Sequence, residues 1–204
     1  MNGATASLSH RFTDRASLGA EYGTRYADLT GDTQLLRFQN AGGVFRYRTG
    51  DQTTVEVAGG LAHLVDHTHN VTRSGPYVRA SLVDRLRRAT VGVDFERNYV
   101  PSLAFGGTNQ SQELRGYIEM PLSANRFYVQ ESASWRRTDP FDTAELPLDS
   151  IWLNTVVGYS VQRWVRVEGY YAFTRQDTRL AGGQINRNVI GVQLVVSEPV
   201  RTQR

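Results

Sequence analysis

Cysteine is absent from the 204 residues, so no disulfide framework holds this chain together. Lysine is absent as well. All 23 basic residues are arginine, which points to a biased genome before any need for planar, permanently charged donors. No block of five or six like charges occurs and the net charge is only +3, so the electrostatic footprint of a nucleic-acid partner is missing. Nor does any apolar run approach the eighteen or more residues of a membrane-spanning helix. The mean hydropathy of −0.42 would suit a water-soluble protein, yet a strand that hides its apolar residues in alternation leaves no hydropathy peak.

What is present is alternation. In Arg88–Tyr99, the residues Ala89, Val91, Val93, Phe95 and Tyr99 fall on one face of an extended chain, and Thr90, Gly92, Asp94, Glu96 and Asn98 on the other. The run is longer than an ordinary globular strand and close to the ~9–11 residues a tilted strand needs to cross a bilayer. The pattern recurs from Ala4 to Val196 about eleven times. A third strand from about Gln34 to Tyr47 loses its alternation near Asn40 to Gly43, where Gly-Gly predicts a bulge. In the eighth, Glu131 interrupts the apolar face, again predicting a bulge. Polar loops are expected at Asp66 to Ser74, Pro101 to Ser111 and Asp139 to Asp149.

Small polar turns at Asp14-Arg15, Asp51-Gln52, Asp84-Arg85, Asn125-Arg126 and Gln162-Arg163 recur every 33 to 41 residues, a hairpin-sized repeat. Longer loops lie between them. Short turns at one end and long loops at the other are the asymmetry of an antiparallel up-and-down transmembrane β-barrel. Arg11, Arg15, Arg48, Arg85, Arg87, Arg88, Arg126 and Arg163 gather at the short-turn end. Asp28, Asp32, Asp66, Asp139, Asp142, Glu145 and Asp149 gather at the other. The expected organisation is a barrel domain over 1–197 and a tail over 198–204. Bacterial barrels usually have an even strand number, so twelve or more strands are expected, with at least one before Met1. Met1-Asn2-Gly3 opens no secretory signal, which such a protein is expected to have carried or to follow within a longer product.

The wet face predicts a lumen lined by Glu21, Arg25, Glu56, Arg79, Asp94, Glu96, Glu113, Arg115, Glu119, Arg136, Arg166, Glu168 and Arg187, seven acids and six arginines. Glu113 and Glu119 are expected opposite Arg136, and Arg166 beside Glu168. With the signs nearly balanced, cross-strand ion pairs in a narrow interior are expected rather than a single-sign constriction. The apolar face carries Tyr22, Tyr26, Tyr47, Tyr99, Trp135, Tyr159 and Tyr171 toward its ends, where aromatic girdles meet lipid headgroups. Alternation alone also suits a soluble lipocalin-like barrel around a small ligand, and a membrane barrel with a filled lumen would serve a structural or adhesive role.

Phe12-Thr13-Asp14-Arg15-Ala16-Ser17-Leu18-Gly19-Ala20-Glu21-Tyr22, Tyr170-Tyr171-Ala172-Phe173-Thr174-Arg175 and Asn186-Arg187-Asn188-Val189-Ile190-Gly191-Val192 resemble the outer-membrane β-barrel (porin-like) proteins of Gram-negative bacteria, some linked to exopolysaccharide export. The resemblance covers nearly the whole chain. It implies an outer-membrane location, with membrane lipid, the barrel-assembly machinery and polysaccharide export components as partners. Many such barrels end on an aromatic residue, whereas this chain runs on through Ser197-Glu198-Pro199-Val200 to Arg204.

Chemistry-bearing clusters are few. His63, Asp66, His67 and His69 bring imidazole and carboxylate together, as a metal site or a rim hydrolase using Asp66 and His67 would need, but no nucleophile or second acid cluster accompanies them. Asp139, Asp142, Glu145 and Asp149 do not match the spacing of a calcium loop. Asn70-Val71-Thr72 fits the glycosylation pattern and carries no expectation in a bacterial barrel. No catalytic, cofactor or metal residues are assigned, and the chain is not expected to be an enzyme.

Overall fold

The computed structural model describes residues 2–29, 34–67, 71–102, 107–122, 126–140, 146–162, 164–178 and 183–196. Eleven strands follow one another: β1 (Asn2–Arg11), β2 (Ala16–Leu29), β3 (Gln34–Thr49), β4 (Thr53–Asp66), β5 (Val71–Leu86), β6 (Ala89–Ser102), β7 (Gly107–Leu122), β8 (Phe127–Pro140), β9 (Leu148–Gln162), β10 (Val165–Asp177) and β11 (Gln184–Val196). They form one antiparallel sheet in sequence order, each strand paired only with its chain neighbours. The architecture is all-β and up-and-down, as the alternation predicts.

Following the cross-strand partners carries one line across the whole sheet: Arg11, Ser17, Arg46, Glu56, Ser81, Asp94, Arg115, Ser134, Trp152, Thr174, Arg187. Ten of the eleven are polar. One residue along each strand, the line flips faces and reads Leu18, Phe45, Val57, Ala80, Phe95, Leu114, Trp135, Ile151 from β2 to β9. The two faces of the sheet therefore differ in chemistry from edge to edge. The line also climbs. Arg11 is the last residue of β1, at the short-turn end, whereas Arg187 has nine further residues, to Val196, before that end of β11. A stagger of roughly one residue per strand corresponds to strands tilted by about 35° to the sheet's long axis, the tilt found in barrel walls.

The sheet bends toward its polar face. The Tyr77 hydroxyl on β5 donates to Glu21 Oε1 on β2 at 2.9 Å, across β3 and β4. Three strand spacings span about 14 Å in a flat sheet, more than these two side chains can bridge. Gly42 and Gly60, which lie between them in register, leave the space open.

Several local expectations are overturned. The register of β3 is unbroken through Asn40 to Gly43, so no bulge lies there. Instead the apolar side of the strand changes. Phe45 and Tyr47 face outward, while Leu36 and Phe38, in the half toward the longer loops, face inward, and the sequence reads the inversion as lost alternation. Glu131 also sits in continuous register, between Ile118 and Thr155, on the apolar face. The ladder irregularity falls elsewhere, at Val165/Arg166. Much of the two loops expected at Asp66 to Ser74 and Pro101 to Ser111 is strand, because β5 begins at Val71 and β7 at Gly107. Asp32, His69, Asn70, Asp142, Glu145, Arg163 and the tail expected over 198–204 lie outside the described residues.

In a meander of eleven strands the first and last run the same way, and no ladder joins β1 to β11. Leu8 and Ile190, on these edges, are 80 % and 81 % exposed. A disulfide requires Cα atoms within about 7 Å. The double variant Leu8→Cys/Val192→Cys, folded in detergent and treated with oxidant, is therefore expected to keep both thiols free. A quantitative intramolecular bond would mean that the edges close directly on each other as a parallel pair.

Candidate functional site

The candidate site is the polar face. All thirteen residues expected to line it share it by register, and three groups of them are assembled into contacts. The first is a chain of charges over β2 to β5. One Arg79 nitrogen, Nη2, reaches Glu21 Oε2 at 3.1 Å and Glu56 Oε1 at 3.0 Å, and Arg46 Nε donates to Glu56 Oε2 at 2.9 Å. Tyr77 completes the coordination of Glu21. Beside this chain lies an apolar cluster of Leu36, Phe38, Ala58, Ala62, Leu64, Tyr77 and Tyr99, with Val44 packed against it. Leu36 is fully buried. The polar face thus carries its own small core at the end of the sheet away from the short turns.

The second group joins Arg136 to Glu113, directly opposite in register, with Nε to Oε2 at 3.0 Å. The Arg136 guanidinium also stands over the Trp152 ring, 4.5 Å from its centroid, a stacking that arginine's planar head favours. A groove runs beside them past Arg115, Ser134 and Asn154. The third group centres on Glu168, which accepts from Tyr128 and, at 2.7 Å, from Gln193 Nε2. Arg166 approaches it at 3.9 Å and leans over the Tyr128 ring.

The remaining lining residues are placed but less engaged. Arg25 lies opposite Gly3 and Phe38, and Asp94 lies between Ser81 and Arg115. Glu96 is flanked by Arg79 and Glu113 and accepts from Asn98 Nδ2 at 3.3 Å. Arg187 is opposite Thr174. Glu119 is opposite Gln130 rather than Arg136, which corrects the expected pairing. Six strand positions separate Glu119 from Glu113, whose partner is Arg136, too far for both acids to share one arginine.

On the apolar face, Tyr22, Tyr26, Tyr47, Trp135 and Tyr171 are exposed, and Tyr159 packs on Phe127 with ring centroids 4.5 Å apart. Tyr47 and Tyr159 stand near the short turns, Tyr26 and Trp135 toward the other end. Tyr99 is different. It is only 5 % exposed and belongs to the apolar cluster with Tyr77, because the β5–β6 register extends only as far as Val78↔Arg97 and frees the end of β6. Glu131, amid apolar neighbours on this face, accepts from Thr155 Oγ1 at 2.9 Å.

The alternation puts Tyr117 and Tyr170 on the wet face, but the lining residues named from sequence leave out these tyrosines and Tyr128. Tyr117, Tyr128 and Tyr170 each lie across a glycine directly opposite, Gly92, Gly158 and Gly191, where a Cβ would overlap the ring. The signal was there to find: a tyrosine on a wet face and a glycine in register on the next strand.

The histidine region is divided by the pleat. His63 contacts Ser74 at 2.8 Å from one face of β4, Asp66 is buried on the other, and His67 is exposed in the following turn. Among the described residues no group of three or more potential metal ligands assembles. Asp139 is engaged by Arg137 at 3.0 Å.

No family model and no curated protein matches the chain. The functional reading therefore rests on the geometry of the two faces.

Arg79→Met removes the one guanidinium shared by Glu21 and Glu56. Loss of a charged hydrogen-bonding partner costs about 1–3 kcal/mol when buried, and water's access to the Arg79 head reduces this to about 1 kcal/mol. Urea unfolding of the detergent-folded chain should register that loss, and Glu21→Gln added to the variant should recover part of it. An unchanged midpoint for Arg79→Met would mean that the charge chain contributes nothing to the fold.

Proposed function

We propose that this chain forms the wall of a bacterial outer-membrane β-barrel, its apolar face against lipid and its charged face around a narrow, ion-paired lumen, porin-like or associated with solute or polysaccharide export. The observation that carries this reading is the side on which the apolar residues stand. A soluble lipocalin-like barrel turns its aliphatic and aromatic face inward, around a ligand. Here the exposed face holds Leu61, Val93, Leu114, Ile151, Leu153 and Val157, and the more buried face holds the ion pairs. An apolar exterior of that extent is costly in water and stable in hydrocarbon. The strand tilt, strand lengths of 10 to 16 residues and the exterior tyrosines support the same reading.

The resemblance to Gram-negative porin-like barrels gives the partners: outer-membrane lipid, the assembly machinery and, in the export version, polysaccharide export components. The rim hydrolase reading finds no assembled constellation among the described residues. A structural barrel with a filled lumen is the second reading, favoured by the apolar cluster around Leu36 and Leu64 on the inner face.

Seven of the thirteen charged residues on this face are held in ion pairs with one another, and the signs of the whole set nearly balance. Exposed ion pairs contribute little net stability but fill space and cancel each other's field. Planar-bilayer recordings are therefore expected to give small conductance steps with nearly equal cation and anion permeability. Large steps with strong preference for one sign would contradict the ion-paired lumen, and complete silence in a correctly inserted protein would favour the filled barrel.

A further inference from the structure

The arginines of the short-turn end are not absorbed by the lumen reading. One groove there is lined by Ser9, Arg11, Thr13, Asp14, Arg15, Ser17, Arg46 and Arg48. Arg46 is committed to Glu56. Among the described residues no ion pair engages Arg11, Arg15 or Arg48, in contrast to Arg79, Arg136 and Arg137. Three guanidiniums thus face a single carboxylate, Asp14, and two positive charges are left over.

The frame that carries them is firmly tied. Phe12 and Thr13 N–H groups both donate to the Ala16 carbonyl, at 3.0 and 3.3 Å, and Arg48 N–H donates to the Arg15 carbonyl at 2.8 Å, fastening the turn to β3. Thr13 Oγ1 accepts from the N–H groups of Arg15 and Ala16, at 3.2 and 3.0 Å. With both lone pairs used, that hydroxyl has only its proton to offer a further partner. The charged groups left in the groove are three guanidinium forks against the one Asp14 carboxylate, and the Thr13 hydroxyl adds a donor.

We propose that this groove binds a doubly charged oxyanion of the phosphate-ester type, with Arg11, Arg15 and Arg48 as its ligands and Thr13 as a hydroxyl donor. The charge left over matches a phosphate monoester, which carries about −1.5 to −2 near neutral pH, better than a single carboxylate. Guanidinium forks match the paired oxygens of phosphate. The groove lies at the mouth, and the proposal stands whether or not the lumen conducts. A phosphorylated lipid headgroup and a soluble phosphate ester present the same chemistry here.

The test is a titration of the detergent-folded chain with inorganic phosphate, read on the arginine ¹⁵Nε resonances. Saturable shifts are expected. Arg11→Gln, Arg15→Gln and Arg48→Gln should each weaken binding by about three- to tenfold. Asp14→Asn should tighten it, and Arg87→Gln and Arg126→Gln, exposed at the same end but outside the groove, should leave it unchanged. These variants alter exposed side chains, and far-UV circular dichroism checks that they fold. In a second arm, the protein is inserted into phosphatidylcholine vesicles with or without phosphatidic acid, and the same resonances are compared. A shift that needs phosphatidic acid and is lost in Arg48→Gln identifies a headgroup ligand; saturable binding of inorganic phosphate without it identifies a soluble phosphate ligand. Absence of saturation, or equal weakening by Arg87→Gln and Arg126→Gln, would overturn the proposal, because the rim would then attract anions only diffusely.

Discussion

The register of ten successive antiparallel ladders is the constraint on which the rest of this structure depends. Side chains alternate along a strand with a period of two, so a slip of one residue would exchange every inward group for an outward one. Arg46 would then stand on the apolar face and Phe45 on the polar one. The ladders hold without irregularity across most of the sheet, and among the described residues the one register shift, at Val165/Arg166, falls beside a turn, where little of the wall lies beyond it. Both the ion pairs of one face and the apolar surface of the other follow from that single alignment.

Register alone does not set curvature; side-chain size does. Where Gly42 and Gly60 face Gly-sized space, Glu21 and Tyr77 reach one another and the sheet folds inward. Where Gly92, Gly158 and Gly191 stand opposite tyrosines, the rings lie flat on the neighbouring strand instead of projecting. Flat-lying rings keep the interior open for the longer Arg and Glu side chains, and the Tyr128 hydroxyl is delivered to Glu168 as a result. Glycine thus serves the wall on its inner side, while the exterior keeps Leu, Val and Ile.

The fold was legible in the sequence because alternation is a backbone property, visible wherever one face is consistently apolar, as in Val91, Val93 and Phe95. It became illegible where both faces are polar, as in Arg73 and Ser74 of β5 and Thr108 to Gln112 of β7, so these strand ends read as loops. It misled where apolar residues changed sides, at Leu36 and Phe38. Lining residues could be named from parity alone, but their partners could not. Glu119 and Arg136 fall on one face yet sit six positions out of register, and Arg79 chooses Glu21, two strands beyond its neighbour, because curvature rather than sequence brings them together. Tyr99 escaped for the same reason, since nothing local announces that a ladder ends at Val78↔Arg97.

The central claim is that the face carrying Trp135 meets hydrocarbon and the face carrying Trp152 does not. Trp135 pairs with Leu114 and Ile151 on the exterior, and Trp152 lies beside Arg136 within. Two variants retaining only one or the other tryptophan, reconstituted in vesicles whose acyl chains carry bromine, separate the faces by fluorescence quenching. The account predicts strong quenching of Trp135 by the brominated chains and little of Trp152. Strong quenching of Trp152 with Trp135 open to aqueous iodide, or failure of the protein to enter the vesicles at all, would contradict it.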